Sequence, residues 1–298
     1  MKKRTLAAVM AGMMVMGSFL TGCSSTDETT ETASSETAET TEENSETTED
    51  AETEKTASED SDVAYIQDKG TLIVGITDFE PMDYKDENGE WIGFDADMAK
   101  KVAESLGVDV EFVEIDWDNK ILELKNKSID VVWNGMTLTN EVTSSMECTN
   151  PYCNNAQVVV LPADKADGYP DAESMKGTLA FAVEAGSAGE EAAKENEFDY
   201  TALTSQADTL MEVSAGTSDA SIIDLLMAGA MIGEGTDYPN LTHTIELTTE
   251  EYGVGCRQGS DLAAYINDEF KKLYEDGTMQ EIAEQYGVQD ALVDQTQE

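Results

Sequence analysis

The chain has 298 residues, about two domains' worth at ordinary domain sizes, and carries 63 Asp and Glu against 17 Lys and Arg, a formal charge of −46 at pH 7. That balance excludes a nucleic-acid binder, whose phosphate contacts need clustered cations. A hydrophobic share of 40% is enough for a buried core, provided the charge is concentrated away from it.

Lys2, Lys3 and Arg4 precede an uncharged run from Leu6 to Leu20, which ends at Leu20-Thr21-Gly22-Cys23. A basic start, a short apolar segment and small residues before a cleavage point predict a secretion signal over residues 1–22. The run is too short for a comfortable membrane span. Leu-Thr-Gly-Cys resembles the bacterial lipobox, which implies that Cys23 becomes the lipid-modified first residue of the mature protein; a diacylglyceryl group supplies the two acyl chains that stable anchoring needs. An ordinary signal peptide followed by a free cysteine is the alternative. Residues 24–62 hold 15 acidic side chains and one basic one, Lys55, with 11 Thr and 7 Ser and no Val, Ile, Leu, Met or aromatic residue. Such a stretch cannot offset its ordering entropy by burial, so residues 23–62 read as an anchored cysteine and a disordered acidic spacer, reaching on the order of 35 Å as a flexible coil. From Val63 onward 13 basic residues still face 48 acidic ones, which predicts a strongly negative surface.

The folded part opens on Thr71 to Ile76, a continuous apolar stretch suited to a buried strand. Asn88-Gly89 between Tyr84-Lys85 and Trp91-Ile92 predicts a hairpin; a calcium loop over the same residues fails at its first position, because Tyr84 is no carboxylate. Asp95 is placed to cap a helix whose Met98, Val102 and Leu106 share a face and which ends at Gly107. A strand from Val108 to Ile115 follows, then a short helix from Asp118 to Asn126 with Ile121, Leu122 and Leu124 inward, then a strand from Ile129 to Trp133. This βαβαβ alternation predicts an α/β lobe with a mostly parallel sheet. The pattern restarts with an apolar segment at Thr178 to Val183, a helix opened by Gly186-Ser187, an extended Tyr200 to Leu203, a helix over Ala207 to Val213, and Ala220 to Ile223 leading into a helix from Asp224 to Met231. The chain closes with helices from Leu262 to Tyr274 and Met279 to Tyr286, each ended by glycine. Two lobes are therefore expected, residues 63–150 plus 257–298 and residues 156–250, joined near Pro151 and again near Tyr252 to Arg257.

Gly75, Phe79-Glu80-Pro81-Met82, Gly93-Phe94-Asp95-Ala96-Asp97, Trp117-Asp118, Asp130, Gly135-Met136-Thr137-Leu138-Thr139, Pro151-Tyr152, Gly186-Ser187 and Asp219-Ala220 with Asp224 together resemble the pattern of extracellular solute-binding proteins of the amino-acid ABC importers. The ordered set, from Tyr65 to Gly287, carries the resemblance; no single piece does. It implies a two-lobed periplasmic-binding-protein-like α/β fold with two hinge strands, a small-molecule ligand in the cleft, closure around it, and delivery to an ABC permease with its ATPase subunits. The expected protein is monomeric, anchored outside the bacterial cell membrane, and without cofactor or metal.

The resemblance also implies roles. Asp224 would pair the ligand ammonium, with carbonyl help near Gly135, although a plain helix cap explains the same residue. Thr137 would offer its hydroxyl and N–H, or else serve only a turn. Phe79, Trp117 and Trp133 would present aromatic faces, with core packing the alternative for both tryptophans; Met82 and Tyr152 are weaker candidates. Two departures bear on one group. The family motif Thr-x-Glu-Arg, whose arginine clamps a substrate carboxylate, reads Thr139-Asn140-Glu141-Val142, and Gly-Ser/Thr-Thr reads Gly186-Ser187-Ala188. Either Thr137, Ser187 and the helix start at Gly186 replace those contacts, or the ligand has no free α-carboxylate.

Catalysis would have to run on carboxylates. The sequence has one histidine, His243, between apolar Leu241 and Ile245, and none of the common hydrolase, zincin or phosphate-loop motifs. A dehydratase lineage shares the implied fold, so an enzyme remains one alternative and an extracellular sensor domain another. Cys148, Cys153 and Cys256 fit no zinc motif, and export permits disulfides. The two crossover strands implied by the resemblance favour a Cys153–Cys256 pair.

Overall fold

The computed structural model describes residues 61–296; the expected signal segment, Cys23 and the expected spacer up to residue 60 lie outside them. The last two spacer residues depart from expectation. Ser61 caps a helix, Asp62–Lys69, by accepting the Ala64 N–H at 3.1 Å. Asp62 is buried, where its carboxylate receives the Arg257 Nε–H at 3.0 and 3.1 Å. Composition alone put Asp62 in the spacer, and composition has no view of a partner 195 residues away.

Two five-stranded sheets organise the chain, and both belong to one packed unit. The first has the order Asp109–Glu114, Thr71–Ile76, Val131–Val132, Gly255–Cys256, Glu147–Cys148. The second has the order Asp199–Leu203, Ala180–Glu184, Ala220–Asp224, Gln157–Pro162, Leu241–Glu246. In each, the first three strands are parallel and the last two join antiparallel. The antiparallel strands are the ones through which the chain arrives from or departs for the other lobe. Two short crossover strands, Cys153–Asn155 and Glu250–Tyr252, pair antiparallel between the lobes.

The helix Phe94–Leu106 shows how sequence sets the first lobe. Its N-cap is Gly93, which supplies no side-chain cap, a deficit of roughly a few tenths of a kcal/mol. Burial of Phe94, Met98, Val102 and Leu106 at four-residue spacing, each contributing about 1.5–3 kcal/mol, outweighs it. Asp95 is therefore not the cap. It lies inside the first turn, wholly buried, and takes the Gly135 N–H at 2.6 Å and the Tyr152 hydroxyl at 2.7 Å. The predicted hairpin forms, with Tyr84 opposite Ile92 and Lys85 opposite Trp91. The closing helices Leu262–Glu275 and Thr278–Tyr286 return to pack on the first lobe.

Three apolar clusters hold these layers. One runs from Leu72, Val74 and Phe94 through Tyr152 and Tyr252 to Val158 and Ile223 of the second lobe, and one more covers the other face of each sheet. The short helix after Trp117 spans Lys120–Lys125 and turns differently from the expectation: Leu122 is 55% exposed, whereas Lys120 and Leu124, one turn apart, are buried. A 3.6-residue period puts positions 120 and 124 on one face and 122 opposite.

Cys148, Cys153 and Cys256 are all free thiols, against the expected Cys153–Cys256 pair. Register is the reason. Cys153 faces Tyr252, while Cys256 faces Glu147 beside Cys148, so Cys256 lies four residues along the strand direction from Cys153's partner, roughly 13 Å away.

Candidate functional site

Between the two sheets lies a cavity of about 260 Å³. From the first lobe, Phe79, Trp117, Lys120, Gly135, Thr137, Glu141 and Val142 line it; from the second, Glu184, Gly186, Ser187, Ala188, Glu190, Lys194, Gln206 and Asp224 do. The parallel strands Ala180–Glu184 and Ala220–Asp224 both end at this cavity in a carboxylate, the carboxyl edge being where open α/β sheets place ligands.

Six of the nine expected ligand residues, Phe79, Trp117, Gly135, Thr137, Ser187 and Asp224, border the cavity, whereas Tyr152 is wholly buried and gives its hydroxyl to Asp95. Phe79 stands edge-on to Tyr252, with ring centroids 6.3 Å apart. Gly135 has φ of 54° and its missing Cβ would lie 2.5 Å from Phe79 Cε1, so the residue must be glycine for the ring to reach the cavity. Met82 and Trp133 do not take part. Both are 0% exposed. The Met82 backbone turns its side chain into the first-lobe core while its carbonyl accepts the Asp95 N–H at 3.0 Å. Trp133 shares the Val131 face of its strand and meets Phe270 edge-on at 5.5 Å, so strand alternation carries it away from the cleft.

The hydroxyls expected to meet a ligand are engaged within the protein. Thr137 Oγ1 donates to Glu250 Oε1 at 2.8 Å. Ser187 Oγ donates to the Glu184 carbonyl at 2.8 Å and accepts the Glu190 N–H at 3.1 Å, capping the helix Ala188–Glu195. The helix start at Gly186 is already filled by an anion of the chain itself: Glu190 Oε2 accepts the Gly186 N–H at 2.8 Å. Burial opposes the Glu190 charge, but that N–H, Lys194 and Tyr200 prevail and hold its carboxyl below the usual range. Val142 is buried in the first turn of its helix, where the Thr139 hydroxyl accepts its N–H at 3.2 Å.

Asp224 is 3% exposed and does not cap the helix it precedes. Its Oδ1 accepts Asn155 Nδ2 at 2.5 Å and the Tyr252 hydroxyl at 2.6 Å, and its Oδ2 accepts Gln206 Nε2 at 2.5 Å. Burial, reinforced by the charge of Glu250, pushes its carboxyl up to about 7 despite those donors.

Two buried ionisable residues were not anticipated. Glu184, 2% exposed, is pushed up to about 8 by burial and then by the Asp224 charge. Lys120, 6% exposed, reaches across the cleft from the first lobe to donate to the Gly186 carbonyl at 2.7 Å, and its ammonium lies 4.9 Å from the Trp117 ring centroid. Burial lowers its pKa, with Glu184 the leading opposing charge. The signal for Glu184 was its place at a strand's carboxyl end just before Gly186; Lys120 was hidden by the inward assignment of Leu122.

The profile of the bacterial extracellular solute-binding proteins, family 3, matches residues 72–289. The L-cystine-binding protein TcyJ of Escherichia coli (strain K12) is 26% identical over 225 residues, covering 74% of this chain and 84% of that protein. The arginine-binding extracellular protein ArtP of Bacillus subtilis (strain 168) is 27% identical over 225 residues, covering 73% and 86%. Among solved structures, the ancestral amino acid-binding protein AncCDT-1, a precursor of cyclohexadienyl dehydratase, superposes with a TM-score of 0.70 at 32% identity, covering 76% of this chain and 99% of that one.

Proposed function

The chain belongs to the bacterial extracellular solute-binding proteins of family 3, and we propose that it is the substrate-binding lipoprotein of an ABC importer for an amino acid or an amino-acid-derived amine. The charge of the cleft carries the reading. Its wall has five carboxylates, Glu141, Glu184, Glu190, Glu191 and Asp224, against two ammonium groups, Lys120 and Lys194. Each relative named above binds an amino acid by its own name. In this reading the ligand enters between the lobes, an ammonium is drawn to Asp224, Phe79 covers the apolar body, and the lobes close on it. The closed form is then what a membrane permease and its ATPase subunits recognise. Cys23 would carry the lipid that holds the monomer at the outer face of the cell membrane.

A carboxylate on the ligand finds little in this cleft. The side chains of Val142 and Ala188 offer no donor, the Thr137 and Ser187 hydroxyls are committed, and Glu190 accepts the Gly186 N–H at the helix start. These observations favour an amine over a zwitterion. Melting the mature chain against amino acids, amines and dipeptides tests the reading, because a ligand at 100 times its dissociation constant stabilises by about 2.7 kcal/mol. A screen in which amino acids and amines leave the melting temperature unchanged, while another solute class raises it, would refute it.

A further inference from the structure

Glu184 Oε1 is buried and has no hydrogen-bond partner among the described residues. Its neighbours Asp224, Ser187 and Lys120 are engaged. Asp224 has its three donors, Ser187 caps its helix, and the Lys120 ammonium donates to the carbonyls of Trp117, at 3.3 Å, and Gly186 rather than to Glu184. An orphaned carboxylate oxygen in so buried a place is destabilising, more so with Asp224 and Asp208 nearby and Lys120 the main opposing charge. A donor brought from outside would relieve it, and Glu184 lines the cavity between the two sheets.

The charge count points the same way. With every group ionised, five carboxylates and two ammonium groups would leave the wall at −3, an excess that burial opposes at Asp224 and Glu184. A zwitterion leaves that excess untouched and a single cation removes one unit, whereas a dication removes two and gives each buried carboxylate a partner.

We propose that Glu184 is a specificity-determining residue that receives an N–H of a second cationic group on the ligand, so that this cleft selects solutes with two cations, such as a diamine or a guanidino amine. The inference rests on the reading of the cleft as a site for an amino acid or amine. Asp224 meets one cation and Glu184 the other, ammonium or guanidinium. A neutral isostere of the second group would leave Glu184 buried and unpaired, and is rejected for that reason.

Calorimetric titration of the wild-type protein, Glu184→Gln and Glu184→Asp with agmatine, arginine, citrulline and putrescine tests this. Citrulline has arginine's length without its side-chain cation. The wild type should bind the best of the three polycationic probes at least 30-fold more tightly than citrulline. Glu184→Gln should lose at least 30-fold for that probe while citrulline changes less than threefold, so the preference collapses. Glu184→Asp, which keeps the charge, should keep the preference at lower affinity. Unliganded Glu184→Gln should melt no lower than the wild type, since it removes a buried carboxylate beside Asp224. A wild type that binds citrulline as tightly as arginine, or a Glu184→Gln variant with the wild-type preference, overturns the role of Glu184 alone. A wild type that binds none of the four overturns the reading of the cleft, and this inference with it.

Discussion

At Gly186 the second lobe meets Asp118 and Lys120 of the first over the cleft, and an alanine there separates closure from stability. Its φ is 70°, and a Cβ would lie 2.8 Å from the Asp118 Cα, 3.0 Å from its Oδ1 and 3.2 Å from its Cβ, all in the other lobe. Carbon atoms in contact prefer about 3.5–4.0 Å, so the lobes must part by roughly 0.7 Å or more at this point. The left-handed backbone of an alanine adds about 1–2 kcal/mol of strain in open and closed forms alike, which lowers stability without affecting ligand affinity. In the proposed closure, the contact with Asp118 belongs to the closed cleft. Overpacking of this kind typically costs about 1–3 kcal/mol, so Gly186→Ala should weaken the best ligand by about five- to 150-fold, and the Lys120 bond to the Gly186 carbonyl should lengthen with it. Gly177 supplies the control: its φ is 65° with nothing within 4 Å of a built Cβ. Gly177→Ala should therefore melt lower yet bind normally. Titration calorimetry gives the affinities, and small-angle scattering with saturating ligand should show a larger radius of gyration for Gly186→Ala. Equal affinities for the two alanine variants would refute the assignment of Gly186 and Asp118 to the closing surface.

Val142→Arg tests the missing carboxylate clamp: a second cation in the cleft should weaken an amine ligand at least tenfold, whereas a ligand with a free α-carboxylate should bind about 1.5–3 kcal/mol more tightly, and that tightening would sink the amine reading. The buried acids set an unusual pH slope. Asp95 and Asp224 are raised to about 7 and Glu184 to about 8, chiefly by burial, so the folded chain binds more protons than the unfolded one between pH 5 and 8. The unliganded protein should accordingly lose stability as pH rises through that window, while cation affinity rises; a urea midpoint that is flat or climbs from pH 5 to 8 contradicts this. Cys23→Ser should move the protein from the membrane fraction to the soluble one with its melting temperature unchanged, and continued membrane association would show that the lipobox reading is wrong.

The lobes were legible because their signals are local. Thr71 to Ile76, the Asn88-Gly89 turn and the glycine stops after Leu106 and Tyr286 each depend on a few neighbouring residues, and each forms as expected. What escaped depends on partners distant in sequence. Asp95 has the right residue type and place for a cap, but Gly135 and Tyr152, 40 and 57 residues away, claim its carboxylate and draw it into the core. Trp133 and Met82 lie within two or three residues of true cavity residues, Gly135 and Phe79, yet one step of strand alternation or one turn of backbone is enough to reverse which way a side chain points.

The cleft's chemistry was half legible for a related reason. Sequence shows which donors are absent, and so it exposed Val142 and Ala188; it does not show which remaining donors are already in use. Thr137, Ser187 and the Gly186 N–H looked like replacements for a lost carboxylate clamp, and each proves to serve Glu250, the Glu184 carbonyl or Glu190 instead. Glu190 matters most here, because a carboxylate supplied by the chain occupies the place that a ligand carboxylate would take, and displacing it would leave a half-buried anion to compete for the same N–H. The cavity thus has its anion-binding corner filled from within and its cation-binding floor open at Glu184. On the proposed reading, that asymmetry favours a cation over an anion in this cleft.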